Sequence, residues 1–166
     1  DRSVVWVEVD ASDRRGALTS EASSMLQTAA EAALHARLPL VGVIRSSGAD
    51  IVEGFAALHG WGRAAKALAD CSGVVPTILI VDGPAVSGPA LLLGIADHVV
   101  MTEDAYAFVS GPTMVAEFTG VAVDADELGG AASHARYTGA TSLVAPDLPA
   151  AIELAVQVLS YLYRKS

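Results

Sequence analysis

The stretch that decides the fold is Gly83-Pro-Ala-Val-Ser-Gly-Pro-Ala-Leu-Leu-Leu-Gly-Ile-Ala-Asp97-His-Val-Val-Met101, which predicts a tight turn, a buried helix and a strand. The apolar run at residues 77–81 precedes it and predicts another strand. Pro89 suits the first position of the helix, because its φ is fixed and it has no N–H. Ser87 and Gly88 therefore lie at a predicted helix N-terminus. Unpaired N–H groups there can stabilise an oxygen that becomes negatively charged during a reaction.

A second turn built from small residues follows the predicted strand at residues 40–44. Its sequence is Arg45-Ser-Ser-Gly-Ala-Asp50, and it leads into a predicted helix at residues 51–69, whose apolar positions recur at close to a helical period. Neighbouring strands of a parallel sheet end at the same edge, so N–H groups from both turns are expected to point at one carbonyl oxygen. Such a pair is an oxyanion hole, and it suits the stabilisation of a thioester enolate.

Strands and helices alternate along the rest of the chain. Further strands are predicted at residues 4–9, 98–101 and 105–109, and further helices at residues 18–37 and 147–162, the last of them capped by Asp147. This alternation predicts right-handed βαβ crossovers, and therefore an α/β fold with a largely parallel sheet. The 166 residues are expected to form a single domain covering residues 1–166. The polar segment 120–136 is expected to be the most mobile region.

Composition limits the classes of function. The net charge is −9, which argues against a nucleic-acid partner, because neutralising phosphates requires clustered Lys and Arg. No run approaches the ~18 uninterrupted apolar residues of a membrane span, so no membrane partner is expected. The chain is 52% hydrophobic and 17% charged, so part of its apolar surface is expected to contact another subunit.

Cysteine and histidine usage is sparse. Cys71 is the single cysteine, which excludes an internal disulfide and indicates a reducing compartment, the cytoplasm being the simplest. His35, His59 and His98 have neither the spacing of metal ligands nor an evident triad partner, so no metal is expected. The sequence begins at Asp1 without Met and without a signal-peptide pattern, so we expect it to be processed or cut from a longer polypeptide.

In combination, the motifs resemble a known family. They are similar to the crotonase superfamily and, within it, to the carboxyltransferase (beta) subunit of biotin-dependent acyl-CoA carboxylases. The segments that carry the resemblance are Ser46-x-Gly-Ala-x-Ile-x-Glu-Gly54, Ser72-Gly-Val-Val-Pro-Thr77, Gly83-Pro84, Ser87-Gly88, Phe108-x-x-Gly-Pro112, Thr119-Gly120, and Glu127-Leu-Gly-Gly-Ala131 with His134. They cover most of the chain from Gly16 onward. The resemblance implies the N-terminal-half domain of that subunit, a crotonase-like spiral of ββα and βαβ units.

The resemblance also implies a reaction and its partners. The reaction is transfer of a carboxyl group from carboxybiotin to the α-carbon of an acyl-CoA, with backbone N–H groups holding the enolate. No covalently bound cofactor is implied, because the biotin is attached to a separate biotin carboxyl carrier protein. A C-terminal-type carboxyltransferase chain, or further copies of this chain, would complete the assembly. The chain is then an enzyme as part of a complex.

Site residues follow from the resemblance by position. Ser87 and Gly88 correspond to the Gly-Gly pair on the family's acyl-CoA side, and Gly48 and Ala49 belong to its other Gly-rich turn, so these four are the candidate catalytic donors. The candidate substrate-binding residues are Ser46, Ser47, Gly111, Pro112, Gly129, Gly130 and His134, with Arg14 and Arg15 at the turn before the first long helix. The two arginines either meet CoA phosphates or form a solvated turn. His134 either lines the pocket or makes a hydrogen bond.

The sequence departs from the family pattern at both turns. Arg45 and Asp50 exchange the signs of the charges that flank the family's first turn, and Ser47 and Ser87 stand where the family has glycine. Hydration is not expected, because the positions at which hydratases carry carboxylates hold Leu91, Leu92 and Thr113. Two alternatives stay open beside carboxyl transfer. The chain is a non-catalytic crotonase-like assembly partner, or it is an acyl-thioester decarboxylase of the same superfamily.

Overall fold

A parallel β-sheet runs through the centre of the chain. The computed structural model describes residues 3–9 and 14–162, with the side chain of Arg15 outside that description. The strands are β1 (Val5–Val9), β2 (Ala17–Leu18), β3 (Leu40–Ser46), β4 (Gly48–Ala49), β5 (Thr77–Val86), β6 (His98–Thr102), β7 (Tyr106–Phe108) and β8 (Leu143–Ala145). The main sheet has the order β1-β3-β5-β6-β8, with β7 beside the end of β5, and β2 pairs separately with β4. Every one of these strand pairs is parallel, which confirms the predicted α/β class.

Helices occupy most of the segments between the strands. They are α1 (Ser20–Ala36), α2 (Phe55–Cys71), α3 (Gly88–Leu92), α4 (Pro112–Thr119), α5 (Ala125–Gly129), α6 (Ala131–Ser133) and α7 (Leu148–Leu162), with a 3-10 turn at Arg14–Gly16 and a π-helical turn at His134–Thr138. The prediction of a loop at 120–136 is wrong, because α5 and α6 fold inside it. No helix in the described residues is both long and apolar enough to cross a bilayer.

Side-chain caps fix the N-terminal ends of α1 and α7. The helix predicted at 18–37 begins at Ser20, two residues later than predicted, because Leu18 belongs to β2. The Thr19 hydroxyl caps this helix by accepting the N–H of Ala22 at 3.0 Å. The prediction that Asp147 caps the last helix is confirmed, because its carboxylate accepts the N–H of Ala150 at 2.9 Å.

Apolar side chains are buried on both faces of the sheet. Ile44 and Leu79 pack toward α1 and α2, whereas Val43 and Ile80 pack toward α7. A sheet covered on both faces accounts for the nearly continuous apolar strands in the sequence. Both functional turns are thereby placed at the carboxyl ends of buried strands.

The predicted packing face of α2 is confirmed only in the second half of the helix. The helix predicted at 51–69 begins at Phe55, and the side chains of Ile51, Val52 and Phe55 are 93%, 90% and 88% exposed. Later positions of the same apolar period, such as Leu68, are buried in the core. Toward α1 the helix packs through small residues. A Cβ added to Gly60 would lie 3.0 Å from the Cβ of Ser23 on α1, so the two helices touch there without a side chain between them.

Strand β5 is longer than predicted. The sequence Asp82-Gly83-Pro84 predicted its end, but the strand continues to Val86 because residues 84–86 pair with β7. The prediction that β5 stops before this segment is therefore wrong. The longer strand carries Ser87 directly to the edge of the sheet.

Candidate functional site

The two small-residue turns touch each other at the carboxyl edge of the sheet. Gly48 has a φ of +112°, and a Cβ added to it would lie 3.3 Å from the carbonyl oxygen of Val86 and 3.5 Å from the Cβ of Ser87. The sequence placed both turns at one edge, and the structure brings them into contact. A side chain at residue 48 would press against the backbone of the second turn, so glycine is needed there for both its conformation and its size.

The turn at Ser87 offers one free backbone N–H, whereas the sequence predicted two, at Ser87 and Gly88. The Ser87 N–H donates to the carbonyl oxygen of Phe108 at 2.9 Å, which continues the β5–β7 ladder. This corrects the prediction that Ser87 supplies a catalytic amide. Pro89 has no N–H, whereas none of the hydrogen bonds in the described part of the chain uses the Gly88 N–H. Since α3 has only five residues, its dipole adds little, and Gly88 itself is the donor of this turn.

The other turn is fixed by Ser46. Its side chain is buried, donates to the carbonyl oxygen of Gly16 at 2.6 Å and accepts the Gly48 N–H at 3.3 Å. Both contacts are structural. The buried Ser46 hydroxyl therefore supports the turn and does not make the predicted contact with substrate. Ser47 is exposed at the tip of the turn, where a bound molecule can reach it.

The backbone of β4 leaves the Ala49 amide available. The N–H of Asp50 donates to the carbonyl oxygen of Leu18 at 3.0 Å, within the parallel β2–β4 pair. Successive residues of a strand turn their N–H groups to opposite sides, so the Ala49 N–H points away from β2. Ala49 is also exposed. Each turn therefore contributes one donor, Ala49 from the first and Gly88 from the second.

Asp50 braces the first turn with the help of Arg14. Arg14 Nη1 lies 2.6 Å from Asp50 Oδ2, and Asp50 Oδ1 accepts the N–H groups of Val52 at 2.7 Å and Glu53 at 3.3 Å. The hydrogen bond from Arg14 holds the pKa of Asp50 below its usual value, with the backbone hydrogen bonds acting in the same direction. Arg14 thus supports the turn, and its contact with CoA phosphates stays a prediction. The side chain of Arg15 lies outside the described residues.

Arg45 is likewise committed to carboxylates. Its guanidinium donates to Asp82 through Nε at 2.7 Å and to Glu8 through Nη1 at 3.0 Å. These contacts tie together the ends of β1, β3 and β5. The changed charge at position 45 is therefore balanced within the chain by the carboxylate of Asp82.

His134 and the glycines before it hold α5 against β7. His134 Nε2 lies 2.7 Å from the carbonyl oxygen of Ala107, so this nitrogen carries a proton, and Nδ1 lies 2.8 Å from the Thr138 hydroxyl. A Cβ added to Gly129 would lie 2.1 Å from the Ala107 oxygen. The same addition to Gly130 would meet the Asp126 oxygen at 2.7 Å. These contacts give Gly129, Gly130 and His134 packing and hydrogen-bonding roles, and their contact with substrate stays a prediction.

The start of α4 is built by Gly111 and Pro112, as its N-cap and first helical residue. Their predicted contact with substrate stays a prediction. No group of three or more His, Cys, Asp or Glu side chains within the described ranges is arranged to hold a metal.

Trp61 is the residue that sequence reasoning missed. A tryptophan in this helix is expected to pack against the core, which Trp61 does, but its indole also lies against Gly88. A Cβ added to Gly88 would be 2.7 Å from Trp61 Nε1. The preceding Gly60 was the signal in the sequence, because it marks a place where the helix approaches another backbone closely.

With this geometry in place, comparison with known proteins decides the family. The model of the family described as the carboxyl transferase domain matches residues 2–166. The chain belongs to the carboxyl transferase domain family. The predicted resemblance is therefore confirmed.

Proteins similar to this carboxyl transferase domain are named as subunits of carboxyltransferases and carboxylases. It is 39% identical over 132 residues to the methylmalonyl-CoA carboxyltransferase 12S subunit of Propionibacterium freudenreichii subsp. shermanii, covering 80% of this chain and 25% of that protein. It is 34% identical over 151 residues to the propionyl-CoA carboxylase beta chain of Rhodococcus erythropolis, covering 91% of this chain and 32% of that protein. The chain thus spans about a quarter to a third of these relatives.

Solved structures share the fold. A crystal structure of the transcarboxylase 12S hexamer with hydrolysed methylmalonyl-coenzyme A bound superposes with a TM-score of 0.89 at 36% identity, covering 92% of this chain and 30% of that one. The Pseudomonas malonate decarboxylase MdcD-MdcE heterodimer superposes with a TM-score of 0.79 over 93% of this chain and 69% of that one, and its 18% identity shows the fold alone. These matches confirm the predicted crotonase-like fold.

Proposed function

We propose that this carboxyl transferase domain is the acyl-CoA half of a biotin-dependent carboxyltransferase and catalyses carboxyl transfer to the α-carbon of an acyl-CoA. The observation that carries the proposal is the contact between the Gly48–Ala49 turn and the Ser87–Gly88 turn. It leaves one free backbone donor on each turn, at Ala49 and at Gly88. Negative charge that develops on the thioester oxygen would be held by these two N–H groups.

The ionisable group next to Ala49 in the chain is poorly suited to remove the α-proton. Asp50 follows Ala49 directly, but its carboxylate already accepts hydrogen bonds from Arg14, Val52 and Glu53. These bonds stabilise its charged form and make it a weak base. Such a site fits a reaction in which biotin on a carrier protein supplies both the carboxyl group and the proton acceptor. The chain's own part is to orient the thioester and stabilise the enolate.

We further propose that the phosphates of CoA are bound with the help of a partner. Arg14 and Arg45 both contact carboxylates, and the net charge of the chain is −9. A polyanion is repelled by such a field unless basic side chains are brought near. A C-terminal-type carboxyltransferase chain or a second copy of this chain would bring them. Cys71, buried and reduced, is compatible with a cytoplasmic setting.

Decarboxylation is the second candidate, because loss of CO2 from a malonyl-type thioester also leaves an enolate on the same oxygen. The geometry of the two turns serves both reactions. A non-catalytic assembly role is favoured by one observation, the side chain that Ser87 places beside the donor turn.

One assay separates the three possibilities. The protein is purified with its copurifying partners and incubated with methylmalonyl-CoA that carries a labelled carboxyl group, with and without biotin. We expect label to move to biotin while propionyl-CoA accumulates. Release of labelled CO2 that does not depend on biotin would instead indicate a decarboxylase. Intact methylmalonyl-CoA under both conditions would indicate the non-catalytic role and contradict the proposal.

A further inference from the structure

The indole of Trp61 forms a wall behind Gly88. A Cβ added to Gly88 would lie 2.7 Å from Trp61 Nε1 and 2.8 Å from Cδ1, so no side chain fits at residue 88. The five-membered ring of the indole thus occupies the space where that side chain would be. Any tilt of the Gly88 peptide toward α2 is blocked by this ring.

Packing, not hydrogen bonding, holds the indole there. Trp61 Nε1 is buried and has no hydrogen-bond partner within the part of the chain that the structure describes. A buried donor without an acceptor is unfavourable, and such groups in folded proteins call for an explanation. The benefit has to lie in what the ring contacts, which is the hydrophobic core on one side and the backbone of Gly88 on the other.

Helix α2 is itself firmly placed. Gly60 precedes Trp61, and a Cβ added to it would lie 3.2 Å from the Cα of Ser20 and 3.0 Å from the Cβ of Ser23. The close approach of α2 to α1 fixes the position from which the indole projects. A rigid support is needed, because Ser87 has φ 62° and ψ −122°, a conformation that persists only when the surrounding structure enforces it.

We propose that Trp61 is a positioning residue, which holds the Gly88 N–H in the direction in which it donates to the thioester oxygen. This inference rests on the proposed function. Trp61 does not touch the substrate in this account. It acts through Gly88, and its effect appears when charge develops on the oxygen.

The first test measures kcat and KM of carboxyl transfer in the purified assembly. In Trp61→Leu the ring is lost, and we expect kcat to fall by about 10²-fold, the typical effect of a displacement of about 1 Å at a reacting centre. KM should change little, because the donor is needed mainly in the transition state. Trp61→Phe keeps a flat ring and should recover most of the loss. Trp6→Leu removes an indole from the edge strand β1 and is the matched control, with unchanged kcat.

The second test needs no activity. Gly88→Ala should lower the melting temperature in the parent protein and be tolerated better in a Trp61→Leu background, because the missing ring leaves space for the methyl group. Gly62→Ala on α2, where an added Cβ meets nothing within 4 Å, is the matched control and should be equally tolerated in both backgrounds.

The outcomes separate the two levels of the account. Equal destabilisation by Gly88→Ala in both backgrounds, or normal kcat in a folded Trp61→Leu protein, would overturn the role of Trp61 alone. Failure of the unaltered assembly to transfer label would overturn the proposed function, and with it this inference, even if the stability coupling were seen.

Discussion

Replacing Ser87 with glycine is expected to stabilise the protein, which is unusual for a change to glycine. Ser87 has φ 62° and ψ −122°, a combination found at the first central position of type II′ turns, where glycine dominates. A residue with a side chain held in such a conformation costs ~1–3 kcal/mol. Glycine avoids that cost, but it loses about 0.5–1 kcal/mol through the extra freedom of the unfolded chain.

The net gain can be converted into a melting temperature. The difference between the two terms lies between about 0 and 2.5 kcal/mol in favour of Ser87→Gly, with a midpoint of about 1.3 kcal/mol. For a domain of this size each kcal/mol shifts the melting temperature by about 2–4 °C, so the midpoint corresponds to a rise of about 3–5 °C. The assay is a thermal melt at fixed protein concentration, because association would itself change the midpoint.

A matched control separates the relief of backbone strain at Ser87 from the general effect of adding a glycine. Ser47→Gly adds glycine at an exposed position of the other turn, where the backbone φ is not positive. It should lower stability by about 0.5–1 kcal/mol. A melting temperature for Ser87→Gly at or below that of Ser47→Gly would show that Ser87 is not strained, and the reasoning about this turn would be wrong.

Three further predictions follow from other contacts. Because Phe55 and Phe118 are 88% and 93% exposed, the chain should form an oligomer, and a monomeric mass by light scattering at micromolar concentration would contradict this. The lowered pKa of Asp50 means that its ion pair with Arg14 stabilises the protein above about pH 4 and loses its effect as the pH falls through the still lower folded-state pKa. Arg14→Gln should therefore reduce the urea midpoint at pH 6 and have a shrinking effect below about pH 4, whereas an equal effect at both pH values would rule out the ion pair. Gly129→Ala should cost at least about 1–3 kcal/mol, since its Cβ would overlap a β7 carbonyl, and an unchanged urea midpoint would refute that packing.

The sequence was a good guide to the buried strands and a poorer guide to α2. Long apolar runs such as Thr77–Val81 predict strands because a sheet covered on both faces needs them. The helix prediction relied on large apolar residues such as Phe55, but α2 packs through Gly60 and several alanines. Small residues carry little hydrophobic signal, so the periodicity was misleading at the start of the helix and right near Leu68, which is buried.

In the site, features set by local sequence could be predicted, whereas contacts between residues far apart in the sequence could not. The meeting of the two turns followed from their positions after neighbouring strands. The sequence did not reveal that the Ser87 N–H is already used in a hydrogen bond. Its acceptor is the carbonyl oxygen of Phe108, which is brought near only by the pairing of β7 with β5. The commitment of Arg14 to Asp50 is equally non-local, with 36 residues between them in sequence number.

The central claim is that one backbone N–H from each turn holds the thioester oxygen, and Ala49→Pro tests it most directly. Proline removes the Ala49 N–H, which takes no part in the β2–β4 ladder, so the sheet keeps its hydrogen bonds. Gly88→Pro is less clean, because its ring would strike Trp61. Ala49→Gly retains the N–H and is the matched control.

The decisive measurement is kcat of carboxyl transfer in the two Ala49 variants, each checked for folding by circular dichroism. We expect Ala49→Pro to lose about 10²–10³-fold in kcat, as removal of one oxyanion donor typically does, and Ala49→Gly to stay close to the unaltered protein. Full kcat in a folded Ala49→Pro protein would contradict the claim, because the thioester oxygen would then be stabilised by other groups.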